Sequence, residues 1–207
     1  MPIELNIEQG SLEWIQMRLG VVTASNADKI ITSKGEPSKQ SVAYMRTLAG
    51  EILSGESANN YKSASMMKGN ERECDSRNHY ALTYGVEIRQ VGFVFLDEKK
   101  RVGCSPDGLI DSMKMGFETK NKDSRVQLDQ LVDGWSWKAD HYHQCQAGIW
   151  ICNLDAWALR SYSRGIQPID VIVERDDEFI RRYAELVEKF IFGLDKLVEK
   201  YRDESCI

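Results

Sequence analysis

The chain carries its chemistry-bearing residues close together in GCSPDGLIDSMKMGFETKNK, residues 103–122, where Asp107 follows a Pro and Glu118 and Lys120 stand two apart. Side chains alternate faces along a strand, so Glu118 and Lys120 point the same way and Thr119 turns its side chain to the other face, leaving its backbone beside them. An SMKMG turn can fold Asp107 back next to Glu118. Two carboxylates, a backbone carbonyl and an ammonium then surround one small volume. Oxygen ligands of this kind suit a hard divalent cation such as Mg²⁺, with Mn²⁺ as a substitute. Such a cation neutralises charge on a phosphoryl oxygen and acidifies a bound water, and Lys120 can orient or deprotonate that water. The grouping suits hydrolysis of a phosphodiester. A Pro-Asp-Gly turn beside an ordinary Glu–Lys neighbour pair is the plain alternative.

The elements that must position these residues follow from the hydrophobic pattern. A helix-like stretch covers Ser11 to Gly20, a polar turn-rich loop runs from Thr32 to Ser41, and VAYMRTLAGEIL reads as helix. MMKGNERECDSRNHYALTYG reads as a second helix stopped by Gly85. From Glu87 the period shifts to that of a β-hairpin broken at DEKK, with GFETKNK a further strand. HYHQCQAGIWICN reads as helix, and AWALRSYSR and DVIVERD as two more strands. Ile180, Tyr183, Val187, Phe190, Ile191, Leu194, Val198 and Tyr201 recur at helical spacing behind a cap at Asp176 or Asp177. Helices, a sheet, then helix and further strands make a mixed α/β domain, with residues 1–207 read as one domain.

Bulk properties agree with a globular protein: 42% hydrophobic and 29% charged residues, with no apolar run of membrane-spanning length. No basic start followed by an apolar run marks a signal peptide, which predicts a cytoplasmic protein. The five cysteines form no CxxC and read as reduced thiols. A net charge of −5 argues against a surface basic all over, but leaves room for a local basic groove.

PDG followed by ETK resembles the PD-(D/E)xK nuclease signature. The wider set resembles the lambda-exonuclease (YqaJ-like) branch of that superfamily, the phage alkaline exonucleases of recombination. EWIQMRLGVVTAS resembles its N-terminal motif, GNERECDSRNHY its Gly-x-x-x-Glu helix, GCSPDGL and FETK its core, and HYHQCQAGIW its Gln-x-Gln helix. VIVERDDEFI, leading into the last helix, fits as well, so the resemblance runs over nearly the whole chain. It implies a restriction-endonuclease-like α/β fold, a central mixed β-sheet flanked by α-helices. It implies Asp107, Glu118 and the Thr119 carbonyl as metal ligands, Lys120 acting on the water, Glu73 as a further ligand directly or through water, and Gln144 beside the nucleophile or scissile phosphate. Arg18 and Ser25 would hold phosphate at the 5′ end.

The same resemblance implies a 5′→3′ exonuclease on double-stranded DNA that releases mononucleotides and leaves a 3′ tail. A ring-shaped homotrimer, a single-strand annealing protein as partner, and a phage or prophage setting in a bacterial host come with it. Three positions depart from the pattern: Thr119 is often Leu, Ile or Val, His141 is usually Tyr, and Asn121-Lys122 replaces a frequent Cys-Pro. None removes a required charge. A structure-specific or nicking endonuclease on the same fold, or a non-catalytic scaffold binding DNA ends, are the rivals.

Outside these motifs, Arg77 can pair with Glu73, and the three histidines lack companions at zinc spacing and read as structural or DNA-facing. Trp135 and Trp137 can stack on bases or pack inside. Met66 and Met67 can form a wedge at a duplex end or join the core. Lys34, Lys39, Lys62, Lys68, Lys122, Arg125 and Lys138 are the candidates for a basic lining.

Overall fold

The computed structural model describes residues 1–58 and 64–202, with backbone alone for 64–71; Lys62, Met66, Met67 and Lys68 therefore lie outside the described side chains. Among the described residues, eight strands fall into two four-stranded mixed sheets. The first has the order β1 (Ile3–Leu5), β3 (Phe93–Phe95), β4 (Val102–Cys104), β2 (Val22–Thr23). The second runs β5 (Gly108–Ile110), β6 (Met115–Asn121), β7 (Ala156–Tyr162), β8 (Ile169–Glu174). The mixed α/β class expected from the sequence is present. What the sequence did not show is the division, which falls at Ser105–Asp107. Pro106 has no N–H to offer a ladder, and the chain crosses there from β4 to β5.

Each strand boundary has a local cause. The DEKK break is the β3–β4 turn, closed by Lys100 N–H to the Asp97 carbonyl at 3.1 Å and by Lys99 N–H to Asp97 Oδ1 at 2.9 Å. Strand structure starts at Phe93 rather than at Glu87; before it Arg89 makes a single bridge to Leu109. The SMKMG turn joins β5 to β6 antiparallel, with Gly108 opposite Phe117. β6 then pairs parallel with β7, and β7 antiparallel with β8.

Helices cover both faces of the second sheet. α1 (Leu12–Met17) is capped by the Ser11 hydroxyl, and a short 3₁₀ segment (Ala24–Lys29) follows β2. α2 (Ser41–Ser54) ends on Gly55 and α3 (Ala64–Tyr84) on Gly85, both with positive φ as a helix stop demands. α3 lies on the face of β6 and β7 that carries Met115, Phe117 and Ala158, which join Tyr80 in one buried cluster. The opposite face receives α5 (Trp137–Cys152). α6 (Asp177–Tyr201), capped by Asp176, packs its apolar stripe on α2 and α5 within the main core, as its helical spacing predicts. One helix was not foreseen: α4 (Ser124–Asp133) places Arg125, expected in or beside a loop, in its first turn.

Candidate active site

The β5–β6 ladder ends at Gly108, and one residue earlier Asp107 replaces the missing backbone acceptor with its side chain. Its Oδ2 accepts a 2.7 Å hydrogen bond from Thr119 N–H. In a strand, a residue's N–H and C=O face the same neighbour, so the Thr119 carbonyl also turns toward the Asp107 side. The Thr119 hydroxyl meets Ser76 Oγ of α3 at 2.7 Å on the far face of the sheet.

On the near face, Lys120 Nζ donates to Glu118 Oε1 at 2.7 Å and to Gln144 Oε1 of α5 at 2.9 Å, and Gln144 Nε2 donates to the same Glu118 oxygen at 2.7 Å. Packing behind the triangle explains why Gln144 reaches it. The Trp157 ring lies over Gly116 of β6 and Gly148 of α5, where a Cβ would stand 2.2 Å and 2.5 Å from ring atoms. The two glycines let the helix settle on the strand, and Gln144, one turn before Gly148, comes down beside Glu118.

A cleft of about 200 Å³ opens on the triangle and is lined also by Arg18 and Ser25. Arg18 is half-buried, with its guanidinium 4.1 Å from the Trp14 ring centre and Nη1 donating to Ser105 Oγ at 3.1 Å. Burial pulls its pKa below the ordinary arginine value, with Tyr44, Cys104 and Glu51 opposing. Among the described residues it makes no ion pair, so its remaining donors are open to an anion. Ser25 is exposed at the start of the 3₁₀ segment, 3.2 Å from Thr23 Oγ1. Ser105 was missed from the sequence, although its place two residues before Asp107 was a usable signal.

Glu73 sits in α3 beside a second cleft that it shares with Arg77 and Asp107. Burial, then Glu118, raises its pKa, with Arg77 and Lys120 opposing. Arg77 is not spent on Glu73: Nη1 donates to the Asp107 carbonyl at 2.9 Å, which ties α3 to the strand crossover. Asp107 is half-buried, and burial of its carboxyl followed by the charges of Glu118 and Glu73 pushes its pKa well above the ordinary range. Burial works against the Lys120 ammonium, but Glu118 and Asp107 outweigh it and hold its pKa above the usual value. His141, half-buried with its ring 5.7 Å from that of Trp135, is lowered to about 4 by burial and then by Lys120 and Lys122. Trp135 and Trp137 pack at the rim of a core cluster, and His143 is buried.

Three acids, Asp107, Glu118 and Glu73, thus crowd together at a partly dry site with Lys120 and Arg77 among them and Arg18 in the adjoining cleft. Carboxylates crowded until two of them have raised pKa values are a donor set that fits a hard divalent cation. Among the described residues no three His, Cys, Asp or Glu side chains close into a ready-made cage.

A family model, the YqaJ-like viral recombinase domain, matches residues 13–155. The chain belongs to this family. Its fold is similar to that of LHK-Exo, an alkaline exonuclease from Laribacter hongkongensis, at a TM-score of 0.81 and 24% identity over 95% of this chain and 98% of that one. LHK-Exo in complex with dAMP matches at 0.79 with the same identity and coverage. A phage-related exonuclease from Haemophilus somnus 129PT matches at 0.68 and 20% identity, over 87% of this chain and 96% of that one. No curated protein matches the sequence significantly. The motifs quoted for the resemblance lie inside the matched span, except VIVERDDEFI at residues 171–180. Among the described residues no helix is long and apolar enough to cross a membrane.

Proposed function

We propose that this family member is a divalent-metal-dependent deoxyribonuclease that digests double-stranded DNA from its 5′ ends, releasing mononucleotides and leaving a 3′ single-stranded tail for annealing. The observation that carries the reading is the Glu118–Lys120–Gln144 triangle opening into the same cleft as Arg18. A charge set suited to hydrolysis and a guanidinium suited to phosphate share one small space.

Asp107, Glu118 and the Thr119 carbonyl are the groups that would hold Mg²⁺ or Mn²⁺, with Glu73, which shares a cleft with Asp107, as a further ligand directly or through a water. When bound, the metal supplies charge neutralisation at a phosphoryl oxygen and a more acidic water. The chain's own groups do the rest. Lys120, as an ammonium fixed between Glu118 and Gln144, orients the attacking water and stabilises charge building on the phosphate. Gln144 fixes both partners at once and holds that geometry in advance. Arg18, steadied by Trp14 and Ser105, grips a phosphate with its free donors, and Ser25 adds a hydroxyl in the same cleft.

Polarity, mononucleotide release, a ring-shaped homotrimer, a single-strand annealing partner and a cytoplasmic phage or prophage setting are parts of the proposal supported by family resemblance. A neighbour solved with dAMP supports the mononucleotide as product. The test is a linear duplex with 5′ phosphates and a label at either end, incubated with Mg²⁺ or EDTA beside a closed circle. Metal-dependent early loss of the 5′ label, with the circle intact, is the expected result. Cut circles would replace the reading by an endonuclease, and untouched DNA in every metal by an end-binding scaffold.

A further inference from the structure

Ser105, Pro106 and Asp107 carry the chain from the first sheet to the second. They belong to neither ladder, and among the described residues it is side chains that hold them. The Ser105 hydroxyl accepts from Trp14 Nε1 at 2.9 Å and from Arg18 Nη1 at 3.1 Å. The Pro106 carbonyl accepts from Gln9 Nε2 at 3.0 Å, and the Asp107 carbonyl from Arg77 Nη1 at 2.9 Å.

Gln9 reaches the crossover because the N-terminal segment lies against the lead into β3. Gly92 N–H bonds the Leu5 carbonyl at 3.1 Å, and a Cβ on Gly92 would stand 2.0 Å from the Ile7 carbonyl oxygen. Only glycine admits the segment so close. The turn that follows is closed by Ser11 N–H to the Glu8 carbonyl at 3.1 Å, and Ser11 then caps α1. Within that turn Gln9 is half-buried, and its Nε2 bonds the Val91 carbonyl at 2.9 Å as well as that of Pro106. Both amide hydrogens are thereby spent on backbone. Gln9 also stands between the two clefts, lining the one that opens on Glu118 and Lys120 and the one shared by Glu73 and Asp107.

We infer that Gln9 is a positioning residue for Asp107, acting through the backbone to aim its carboxylate for the metal. This rests on the nuclease reading above. The peptide group is planar, so the Pro106 carbonyl and the Asp107 nitrogen turn together. Gln9 therefore fixes the plane entering the Asp107 Cα, and Arg77 fixes the plane leaving it. With both planes held, φ and ψ are set and the direction of the Cβ follows. Thr119 N–H then holds Oδ2 at the far end of the side chain. Arg77 also bears on Glu73 through its charge, so its removal would change two things at once. Gln9 is uncharged and isolates the geometry.

The test is Gln9→Met, which keeps the length of the side chain and removes its donors. Mn²⁺ is titrated into the chain without DNA and followed by electron paramagnetic resonance, and digestion of a linear duplex is followed over the same metal range. Loss of a residue that orients metal ligands costs about 10–100-fold in metal affinity. The Mn²⁺ midpoint should rise by that factor in both measurements, and saturating Mn²⁺ should restore most of the digestion rate. The KM for DNA at saturating metal and the thermal midpoint in EDTA should change little. Gln9→Asn, shorter by one carbon, should give a smaller rise, and it takes over the test if Gln9→Met does not fold. An unchanged Mn²⁺ midpoint, or a loss read only as a lower thermal midpoint or a higher KM, makes Gln9 a plain pin for the N-terminal segment and overturns the inference. A wild-type chain that neither binds Mn²⁺ nor digests DNA overturns the nuclease reading beneath it.

Discussion

The two faces of β6 each bury a charged pair, and they do different things with it. Below the strand, toward α3, Arg160 of β7 is fully buried and its Nε lies 3.0 Å from Asp170 Oδ1, an ion pair without the alignment of a hydrogen bond. Its Nη1 donates to the Ser76 carbonyl at 3.0 Å, its Nη2 meets His79 Nδ1 at 3.2 Å, and the Tyr84 hydroxyl donates to Asp170 Oδ2 at 2.9 Å. Above the strand, Lys120 and Glu118 form a comparable pair, but further carboxylates press on it and a cleft opens on them. A buried ion pair therefore does not by itself mark a site. The lower network is closed and closely balanced, and it ties α3 to the sheet. The upper one is open and crowds Glu118 with Asp107 and Glu73, whose pKa values are raised.

The largest effect that can break this contrast is at Asp107. Asp107→Asn should lower DNA digestion by about a thousandfold or more, because a metal-holding charge is lost. Yet it should not lower, and should slightly raise, the thermal midpoint measured in EDTA near neutral pH. The sign follows from the raised pKa: the folded chain holds this proton more tightly than the unfolded one. Stability therefore falls as pH climbs from the ordinary carboxylate range toward the raised value, and Asn removes that loss. The Thr119 N–H can still donate to the Asn side-chain oxygen. A lower midpoint in EDTA would show that the upper face is structural and erase the distinction. Lys120→Ala should lose about 10²–10⁴-fold in digestion, with DNA ends still bound.

Breaking the lower pair should do the reverse. Arg160→Met leaves Asp170 without its cation, and losing one partner of a buried pair costs about 3–5 kcal/mol. The figure belongs at the lower end, because the Asp170 side chain keeps 16% of its exposure. Denaturant unfolding measures it. Digestion per folded molecule should fall much less than in Asp107→Asn, and a thousandfold loss without loss of stability would place catalysis on the wrong face.

What the sequence revealed divides along the same line. Asp107, Glu118 and Lys120 were legible because strand alternation and turn chemistry are local: the period of two put both side chains on one face, and SMKMG returned Asp107 to them. The helices with apolar stripes or glycine stops were legible for the same reason. α4 was not, since its buried anchor is Gln127, which bonds the Ser161 and Gln167 carbonyls at 3.3 Å and 2.9 Å instead of packing an apolar stripe. Arg160 was also missed. An arginine in AWALRSYSR reads as solvent-facing, although alternation placed it on the same face as Ala158 and Tyr162. The division into two sheets turns on partners far apart in the chain, which no local period encodes. Gln144 and Arg18 came from the resemblance to a family, and the structure then supplied the Gly116–Trp157–Gly148 packing that brings Gln144 to Glu118.

Gln144→Ala tests how far the upper triangle depends on that packing. It removes a bond to each of Glu118 and Lys120 but leaves their own 2.7 Å pair in place. Digestion should fall about 10–100-fold, the scale of removing a residue that orients metal ligands, with the thermal midpoint nearly unchanged. A loss as deep as that of Lys120→Ala would make Gln144 a direct participant.

The smallest effect lies where the two faces touch, at the 2.7 Å hydroxyl pair of Ser76 and Thr119. Both residues are buried, so Ser76→Ala leaves the Thr119 hydroxyl without its partner, at a cost of about 1–3 kcal/mol. Thr119→Val should cost a similar amount, and the double variant less than the two single costs added together, because removing both partners strands neither. The cycle also separates structure from chemistry. Thr119→Val keeps the backbone carbonyl and the N–H that bonds Asp107, so digestion by the folded fraction should stay near wild type. If Ser76→Ala instead lowered digestion well beyond its cost in stability, α3 would be transmitting strain from the closed face to Glu73. The two faces would then act as one unit.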